Sequence, residues 1–180
     1  MKIYYLPGRG GRLHTGLGEA LLSRGLSLFG RETVGEFAAL SFQEQIELIA
    51  QDLKTDYWYE SAEVIANSYG AYLFLHALTL LPAFPGKVLL FSPIVGEFSN
   101  NDTGTYFLPP RAGQLKKLIQ SGKYPRPECC QCHVGKADWQ SNPTSVLELG
   151  EFLNFDVKVV PAAGHMLPKE YVNQVLDVWL

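Results

Sequence analysis

The strongest local signal in the chain is the stretch Glu63-Val64-Ile65-Ala66-Asn67-Ser68-Tyr69-Gly70-Ala71. It opens with a short β-rich run, passes through a polar turn around Ser68, and leads into an apolar run that extends from Ala71 to Phe84. The apolar run is broken by polar residues and a proline, and it is shorter than the about 20 residues that span a bilayer. The stretch therefore predicts a strand, a tight turn and a buried helix.

The same alternation of β-rich runs and helical patterns continues on both sides of this stretch. The candidate strands are Lys2–Leu6, Leu26–Phe29, Glu63–Ala66, Lys87–Ser92, Gln131–Val134 and Val157–Val160. Strands separated by helices require crossover connections, so this order predicts an α/β fold with a mostly parallel sheet and helices on both faces. In such a sheet the loops at the carboxyl ends of the strands build the functional site.

Several of the connecting helices can be predicted from their periodicity and their ends. One apolar face includes Leu13 and Leu17 and ends near Gly25, and another helix opens with a capping box that starts at Ser41. Two later helices have a proline close to their first turn, at Pro143 after Asn142 and at Pro168.

Composition and charge narrow the class of protein. Hydrophobic residues make up 47% and charged residues 18% of the 180 residues, which is the balance of a folded domain. No linker-like tract divides the chain, so we expect one domain over residues 1–180. The formal net charge of −3 lacks the excess of Lys and Arg that nucleic-acid binding needs, so no nucleic-acid partner is predicted.

The N-terminus and the cysteines bear on the location of the protein. The apolar run before Pro7 is too short for a signal peptide, so we interpret the N-terminus as mature sequence. Cys129, Cys130 and Cys132 lie too close together to form a spread disulfide framework. We therefore predict a cytoplasmic protein without a membrane span.

The same cysteines, together with His133, raise the possibility of a metal site. Alternate residues of a strand share a face, so Cys130 and Cys132 lie together, His133 opposes them, and a fourth ligand is not evident. Buried small side chains are the favoured interpretation. We expect neither a metal nor an organic cofactor.

The turn Ala66-Asn67-Ser68-Tyr69-Gly70 resembles the nucleophile elbow of the α/β-hydrolases, usually written G-x-S-x-G. In the elbow the residues two before and two after the serine are small, so that strand and helix pass closely. Ala66 departs from the commonest pattern by one methyl group.

The resemblance extends to two later loops, where Asp138 follows the fifth predicted strand and the pair Gly164-His165 follows the sixth. The order Ser, Asp, His is typical of this family.

The resemblance covers nearly the whole chain and is closest to the small compact hydrolases. It implies a three-layer fold whose six strands have the order 2-1-3-4-5-6, and it implies a triad of Ser68 as nucleophile, His165 as base and Asp138 as the carboxylate that orients the histidine. The Gly-rich loop after the first strand then corresponds to the oxyanion loop. By that alignment the backbone N–H groups of Arg9 and Tyr69 hold the oxyanion.

Other interpretations of the same residues stay open. Ser68 could be a simple capping serine, and the Gly-rich loop could bind phosphate, although it has neither the P-loop signature nor the dinucleotide fingerprint. Asp102, in a polar turn, and Asp156, at the wrong end of the last strand, compete with Asp138. Ser92 is the next candidate nucleophile.

Two further histidines have less specific interpretations. We expect His76, inside the apolar helix, to be a core residue with a hydrogen-bonded ring. We expect His14 to be an ordinary helix residue, although it could line the site.

The predicted activity is hydrolysis of an ester, thioester or amide of a small acyl substrate through an acyl-enzyme. A non-catalytic interaction module with the same fold and a carbon–carbon bond hydrolase with the same triad are the alternatives. Residues 94–127, between the fourth and fifth predicted strands, are the only segment long enough to form a cover over the site. We expect it to form a small flap with one helix near Ala112–Ser121.

Overall fold

The computed structural model describes residues 2–180, so Met1, the first residue of the predicted domain, lies outside the described residues. The strands are β1 (Lys2–Leu6), β2 (Ser27–Gly30), β3 (Glu63–Asn67), β4 (Lys87–Phe91), β5 (Phe98–Asn100), β6 (Thr105–Phe107), β7 (Cys129–Gly135) and β8 (Asp156–Val160). The helices are α1 (Leu17–Leu22), α2 (Gly35–Ala39), α3 (Phe42–Asp56), α4 (Tyr69–Leu78), α5 (Ala112–Gln120), α6 (Pro143–Leu153) and α7 (Lys169–Trp179).

Six strands form one sheet in the order β2-β1-β3-β4-β7-β8, and every neighbouring pair is parallel. Counted among these six strands alone, the order is the predicted 2-1-3-4-5-6. The chain moves outward from β1 to β2 and then crosses to the other side of β1 at β3. This reversal opens a crevice above the carboxyl ends of β1 and β3, where ligands of α/β sheets usually bind.

The sheet is buried on both faces because its strands carry apolar side chains in both directions. On one face Tyr4 and Val64 pack with α3, α4, α5 and α6 in the larger of two clusters of buried apolar residues. On the other face Ile3 and Ile65 pack with α1 and α7 in the smaller cluster. These are the three layers of the predicted fold.

Helix α4 lies against the carboxyl end of β1, and Gly70 makes this close approach possible. A Cβ atom on Gly70 would lie 2.3 Å from the backbone oxygen of Leu6 and 2.4 Å from that of Pro7. A side chain at this position would therefore push the helix away from the strand. The contact fixes the start of α4, and with it Ser68, beside the loop that follows β1.

The helix ends agree with the sequence-based predictions except at α1. The capping box at Ser41 is formed, and Asn142 caps α6 through its side chain with Pro143 as the first helical residue. The predicted helix that includes Leu13 is wrong at its start, since α1 begins only at Leu17. Its N-cap residue Gly16 has a φ of 58°, outside the right-handed helical region, so the helix cannot continue backward through it.

The segment between β4 and β7 contains α5, close to the helix predicted near Ala112–Ser121, and a hairpin that the sequence did not predict. In this hairpin β5 pairs with β6, and the rings of Phe98 and Phe107 lie 4.9 Å apart. The side chain of Asn100 accepts a hydrogen bond from the backbone N–H of Asp102 in the connecting turn. That this segment moves as a flap stays a prediction.

The structure also adds the short helix α2, which the sequence did not predict. Within residues 2–180 no helix has the length and apolar character needed to cross a membrane.

Candidate active site

Ser68 lies in the turn between β3 and α4 with φ of 53° and ψ of −122°. Residues with a Cβ rarely adopt a positive φ, and such strain persists only where the surrounding structure holds it. Here the Ser68 N–H donates to the Phe91 backbone oxygen at 3.0 Å, and the Ser68 backbone oxygen accepts from the Ile94 N–H at 3.2 Å. The turn is thus tied to the end of the neighbouring strand β4, and the hydroxyl is aimed into the crevice.

His165 lies in the loop after β8, and its ring joins Ser68 to Asp138. The Ser68 Oγ lies 2.8 Å from His165 Nε2, and His165 Nδ1 lies 3.0 Å from both carboxylate oxygens of Asp138. An Nδ1–H that donates to the carboxylate leaves Nε2 free to accept the serine proton. The structure therefore brings together the three side chains that the sequence predicted for the triad.

The carboxylate of Asp138 is fully buried, and its negative charge is stabilised by hydrogen bonds. Its Oδ1 accepts from the backbone N–H groups of Gln140 and Ser141, each at 3.0 Å. Burial alone would raise the pKa of Asp138, but the hydrogen bonds from His165 and Ser141 outweigh it, and the pKa lies below its ordinary value. Asp138 is therefore an ionised hydrogen-bond acceptor for the histidine ring.

Two buried serines, whose contacts the sequence did not predict, hold the histidine loop. The Ser92 hydroxyl donates to the backbone oxygen of His165 at 2.8 Å, so this candidate nucleophile is engaged in a structural bond. The Ser141 hydroxyl donates to the Ser92 backbone oxygen at 2.7 Å and lies 3.3 Å from His165 Nδ1. The position of Ser141, three residues after an aspartate in a turn, is the local signal that could have indicated it.

The loop after β1 passes close to Ser68. A Cβ atom on Gly8 would lie 3.1 Å from the Cβ of Ser68, a tight contact that a larger residue could make only with a small shift of its neighbours. Within residues 2–180 neither the N–H of Arg9 nor that of Tyr69 reaches a hydrogen-bond acceptor. The Tyr69 N–H belongs to the first turn of α4, where backbone donors have no partner inside the helix.

A cavity of about 420 Å³ opens beside Ser68. Its wall comes from the loop after β1, the start of α4, the β5–β6 hairpin and the turn after Asp138. The lining residues are Arg9, Ser68, Tyr69, Ile94, Phe98, Thr105, Tyr106, Phe107, Trp139 and Gln140. Half of these residues are aromatic, which favours apolar or aromatic parts of a ligand.

The competing carboxylates lie outside this arrangement. Asp102 belongs to the exposed turn of the hairpin, and Asp156 pairs with Lys158 at 2.9 Å at the start of β8. His14 is exposed and lies 3.5 Å from Glu32.

His76 is buried in α4 as predicted, but the expectation of a hydrogen-bonded ring is wrong. Its Nε2 has no partner within residues 2–180, because the ring is packed among Phe42 and Tyr72. Burial, with a smaller effect of Arg111, lowers the pKa of His76 to about 4.

Cys130 and Cys132 are buried free thiols on β7. His133, on the opposite side of that strand, binds the Tyr171 hydroxyl through Nδ1 at 2.7 Å. Across the described part of the chain, no three His, Cys, Asp or Glu side chains are grouped so that they could hold a metal ion.

Comparison with known proteins gives structural relatives only. No family model matches the chain, and no curated protein matches its sequence. A monoacylglycerol lipase from Paleococcus ferrophilus is similar in structure with a TM-score of 0.69 and 14% identity, over 99% of this chain and 93% of the lipase. The ydeN gene product from B. subtilis has a TM-score of 0.67 and 15% identity, over 99% of this chain and 97% of that protein.

A carboxylesterase from the thaumarchaeon Nitrososphaera gargenis is similar at a TM-score of 0.63 and 12% identity, over 99% of this chain and 89% of the esterase. These relatives share the arrangement of the parallel sheet and its two helical layers at low sequence identity. The chain therefore has the compact α/β-hydrolase fold.

Proposed function

We propose that the protein is a serine hydrolase that cleaves esters of small acyl groups, with Ser68 as nucleophile, His165 as general base and Asp138 as the orienting carboxylate. The observation that carries this proposal is the continuous hydrogen-bonded path from the Ser68 hydroxyl through both ring nitrogens of His165 to a buried carboxylate. A serine hydroxyl is a weak nucleophile unless a base accepts its proton, and this path supplies the base.

The reaction would proceed in two halves. His165 Nε2 takes the Ser68 proton as Oγ attacks the ester carbonyl, and the same proton then passes to the departing alcohol. Water, deprotonated by His165, attacks the acyl-enzyme and releases the acid, which restores the Ser68 hydroxyl. The unpartnered N–H groups of Arg9 and Tyr69 would stabilise the oxyanion in both halves.

The substrate class is an inference from the cavity. Its volume of about 420 Å³ and its aromatic wall suit a small acyl ester. The names of the similar structures, a carboxylesterase and a monoacylglycerol lipase, support an ester over a thioester or an amide. The three free thiols support the prediction of a reducing, cytoplasmic location.

A fluorophosphonate probe and a series of p-nitrophenyl esters with increasing acyl length test this proposal. We expect the wild-type protein to be labelled and to hydrolyse the short esters, and we expect Ser68→Ala to lose both activities while it remains folded. Ser121→Ala is the matched control, because Ser121 is exposed at the end of α5. Wild-type protein that is neither labelled nor active would favour a non-catalytic module. Labelling retained by Ser68→Ala would assign the nucleophile to another residue.

A further inference from the structure

Arg9 contributes the only charge to the wall of the cavity beside Ser68, as far as residues 2–180 are concerned. The structure gives its guanidinium no carboxylate within ion-pair distance among those residues. Three of the other five arginines have a carboxylate partner, Arg12 with Glu32, Arg24 with Asp177 and Arg31 with Asp52. Arg111 and Arg126 have none within residues 2–180, but neither of them lines this cavity. Arg9 is thus a cation without a carboxylate partner in the wall of the cavity beside Ser68.

The guanidinium is held over the aromatic wall of the cavity. Its central carbon lies 5.5 Å from the centre of the Phe107 ring, which is a favourable cation–π distance. Burial raises the pKa of Tyr69, and the charge of Arg9 acts against that rise, as expected for close neighbours. The Arg9 side chain thus extends from the oxyanion loop across the face of the cavity towards β6.

The acidic residues next in the chain to lining residues, Glu97 before Phe98 and Asp138 before Trp139, do not compensate this charge. Asp138 is fully buried behind His165, and the carboxylate of Glu97 faces the Tyr106 hydroxyl at 3.3 Å. Arginine stays protonated at any working pH, and its planar fork of N–H groups matches a carboxylate. A single guanidinium without a second cation suits a monoanion better than a doubly charged phosphate.

We propose that the Arg9 side chain binds a carboxylate on the substrate, so that the preferred substrates are esters that carry a free carboxylate close to the scissile bond. This inference rests on the proposed function of Ser68. It gives Arg9 two separate roles, because the backbone N–H acts on the oxyanion and the side chain selects the substrate.

The experiment compares esters that differ only in this charge. One pair is p-nitrophenyl hydrogen adipate and p-nitrophenyl methyl adipate, with the charge on the acyl side. The other pair is 4-acetoxybenzoate and its methyl ester, with the charge on the leaving group. The measured quantity is the ratio of kcat/KM for the anionic ester to that for the neutral ester, after subtraction of the rate with Ser68→Ala.

We expect the wild-type ratio to exceed one in at least one pair, after correction for the intrinsic reactivity of the two esters. Arg9→Ala should lower that ratio by about tenfold, the size of a hydrogen bond between charged groups. Arg9→Lys should retain part of the preference, and added salt should weaken it. Arg12→Ala is the matched control, since it removes the same charge from the same loop at a position already paired with Glu32.

The inference is overturned if Arg9→Ala leaves both ratios unchanged, or if Arg12→Ala lowers them as much. It is also overturned if the wild type shows no preference in either pair. Failure of the proposed function itself looks different, because hydrolysis of all four esters would then be independent of Ser68. Fluorophosphonate labelling of each Arg9 variant keeps these outcomes apart by showing that the nucleophile is intact.

Discussion

The positive φ of Ser68 is the local cost of presenting a hydroxyl between a strand and a helix. The surrounding hydrogen bonds to Phe91 and Ile94 hold this conformation in place. Asp138 is also stabilised by its neighbours. Its burial would favour the neutral acid, but hydrogen bonds from His165 and two backbone N–H groups stabilise the carboxylate. Single residues here have unfavourable conformations or environments that their neighbours offset.

Replacement of Asp138 by asparagine tests its orienting role. An amide at this position can donate to Nδ1, which favours the wrong tautomer of His165 and should lower kcat by about 10⁴-fold with little change in substrate binding. Asp102→Asn is the control, since Asp102 is an exposed residue of the hairpin turn. Steady-state kinetics on a short p-nitrophenyl ester provide the measurement. Equal losses in the two variants would remove Asp138 from the triad.

A second prediction at this scale isolates the Arg9 backbone from its side chain. Arg9→Pro and Arg9→Ala both remove the guanidinium, but only proline removes the N–H. Loss of one oxyanion donor should make Arg9→Pro slower than Arg9→Ala by about 10²–10³ in kcat on the same neutral ester.

Because proline also restricts the preceding residue, Gly8, circular dichroism and binding of a substrate analogue must first show that the proline variant is folded. If the folded proline variant turns over as fast as the alanine variant, another amide, such as that of Gly10, forms the oxyanion hole.

At the scale of elements, the packing of α4 on β1 sets the geometry of the site. Gly70 lies against the backbone oxygens of Leu6 and Pro7, and Gly8 lies against the side chains of Asn67 and Ser68. The contact at Gly70 leaves no room for a side chain, and a shift of the helix would move Ser68 relative to the loop after β1.

Gly70→Ala tests this contact. The added methyl group would overlap two carbonyl oxygens, so we expect the free energy of unfolding to fall by about 1–3 kcal/mol and esterase activity to fall with it. Gly113→Ala in α5 is the matched control, because its added Cβ meets no atom within 4 Å. That variant should be neutral or more stable by about 0.4–1 kcal/mol. The free energies of unfolding of both variants are measured in urea. Equal values would contradict the close packing of α4 on β1.

At the scale of the whole molecule, each face of the sheet buries a neutral histidine. His76 packs against Phe42 on the α3 and α4 side, and His133 packs against Phe91 and Tyr171 on the α7 side. Burial is the main cause that lowers the pKa of each to about 4. Arg111 lowers the pKa of His76 further, whereas at His133 the raising effect of Asp156 is larger than the lowering effect of Lys158. A histidine in the unfolded chain has a pKa near 6.5.

The protein should therefore lose stability as the pH falls from about 6.5 to about 4, because the unfolded state takes up protons that the folded state excludes. At pH 5 each histidine should account for about 2 kcal/mol of this loss. We expect the urea midpoints at pH 7.5 and pH 5 to differ less in His76→Phe than in the wild type. The distant His133 should contribute to this difference independently of His76. An unchanged pH dependence in His76→Phe would contradict this account. The lowered pKa of Asp138 would add a further loss of stability as the pH falls through the ordinary range of aspartate towards its lower folded value.

Much of this architecture could be predicted from local sequence. The sheet strands β1, β3 and β4 are buried on both faces and appear as short apolar runs, and the elbow around Ser68 has small residues where strand and helix must pass. Ser68, Asp138 and His165 each follow a predicted strand, so the sequence also places all three at the carboxyl ends of strands. These features depend on neighbours in sequence, which is why the pattern is sufficient to predict them.

The contacts of the site depend instead on residues far apart in the chain. The hydrogen bond between Ser68 and His165 joins residues 97 positions apart, and the choice of Asp138 over Asp156 depends on which carboxylate the sheet brings to the ring. The lack of a carboxylate near the Arg9 guanidinium and the hydrogen bonds of Ser92 and Ser141 near His165 also depend on residues far apart in the chain. Charge pairing and burial are set by packing between elements, so a local pattern carries no information about which groups meet and which are left without a partner.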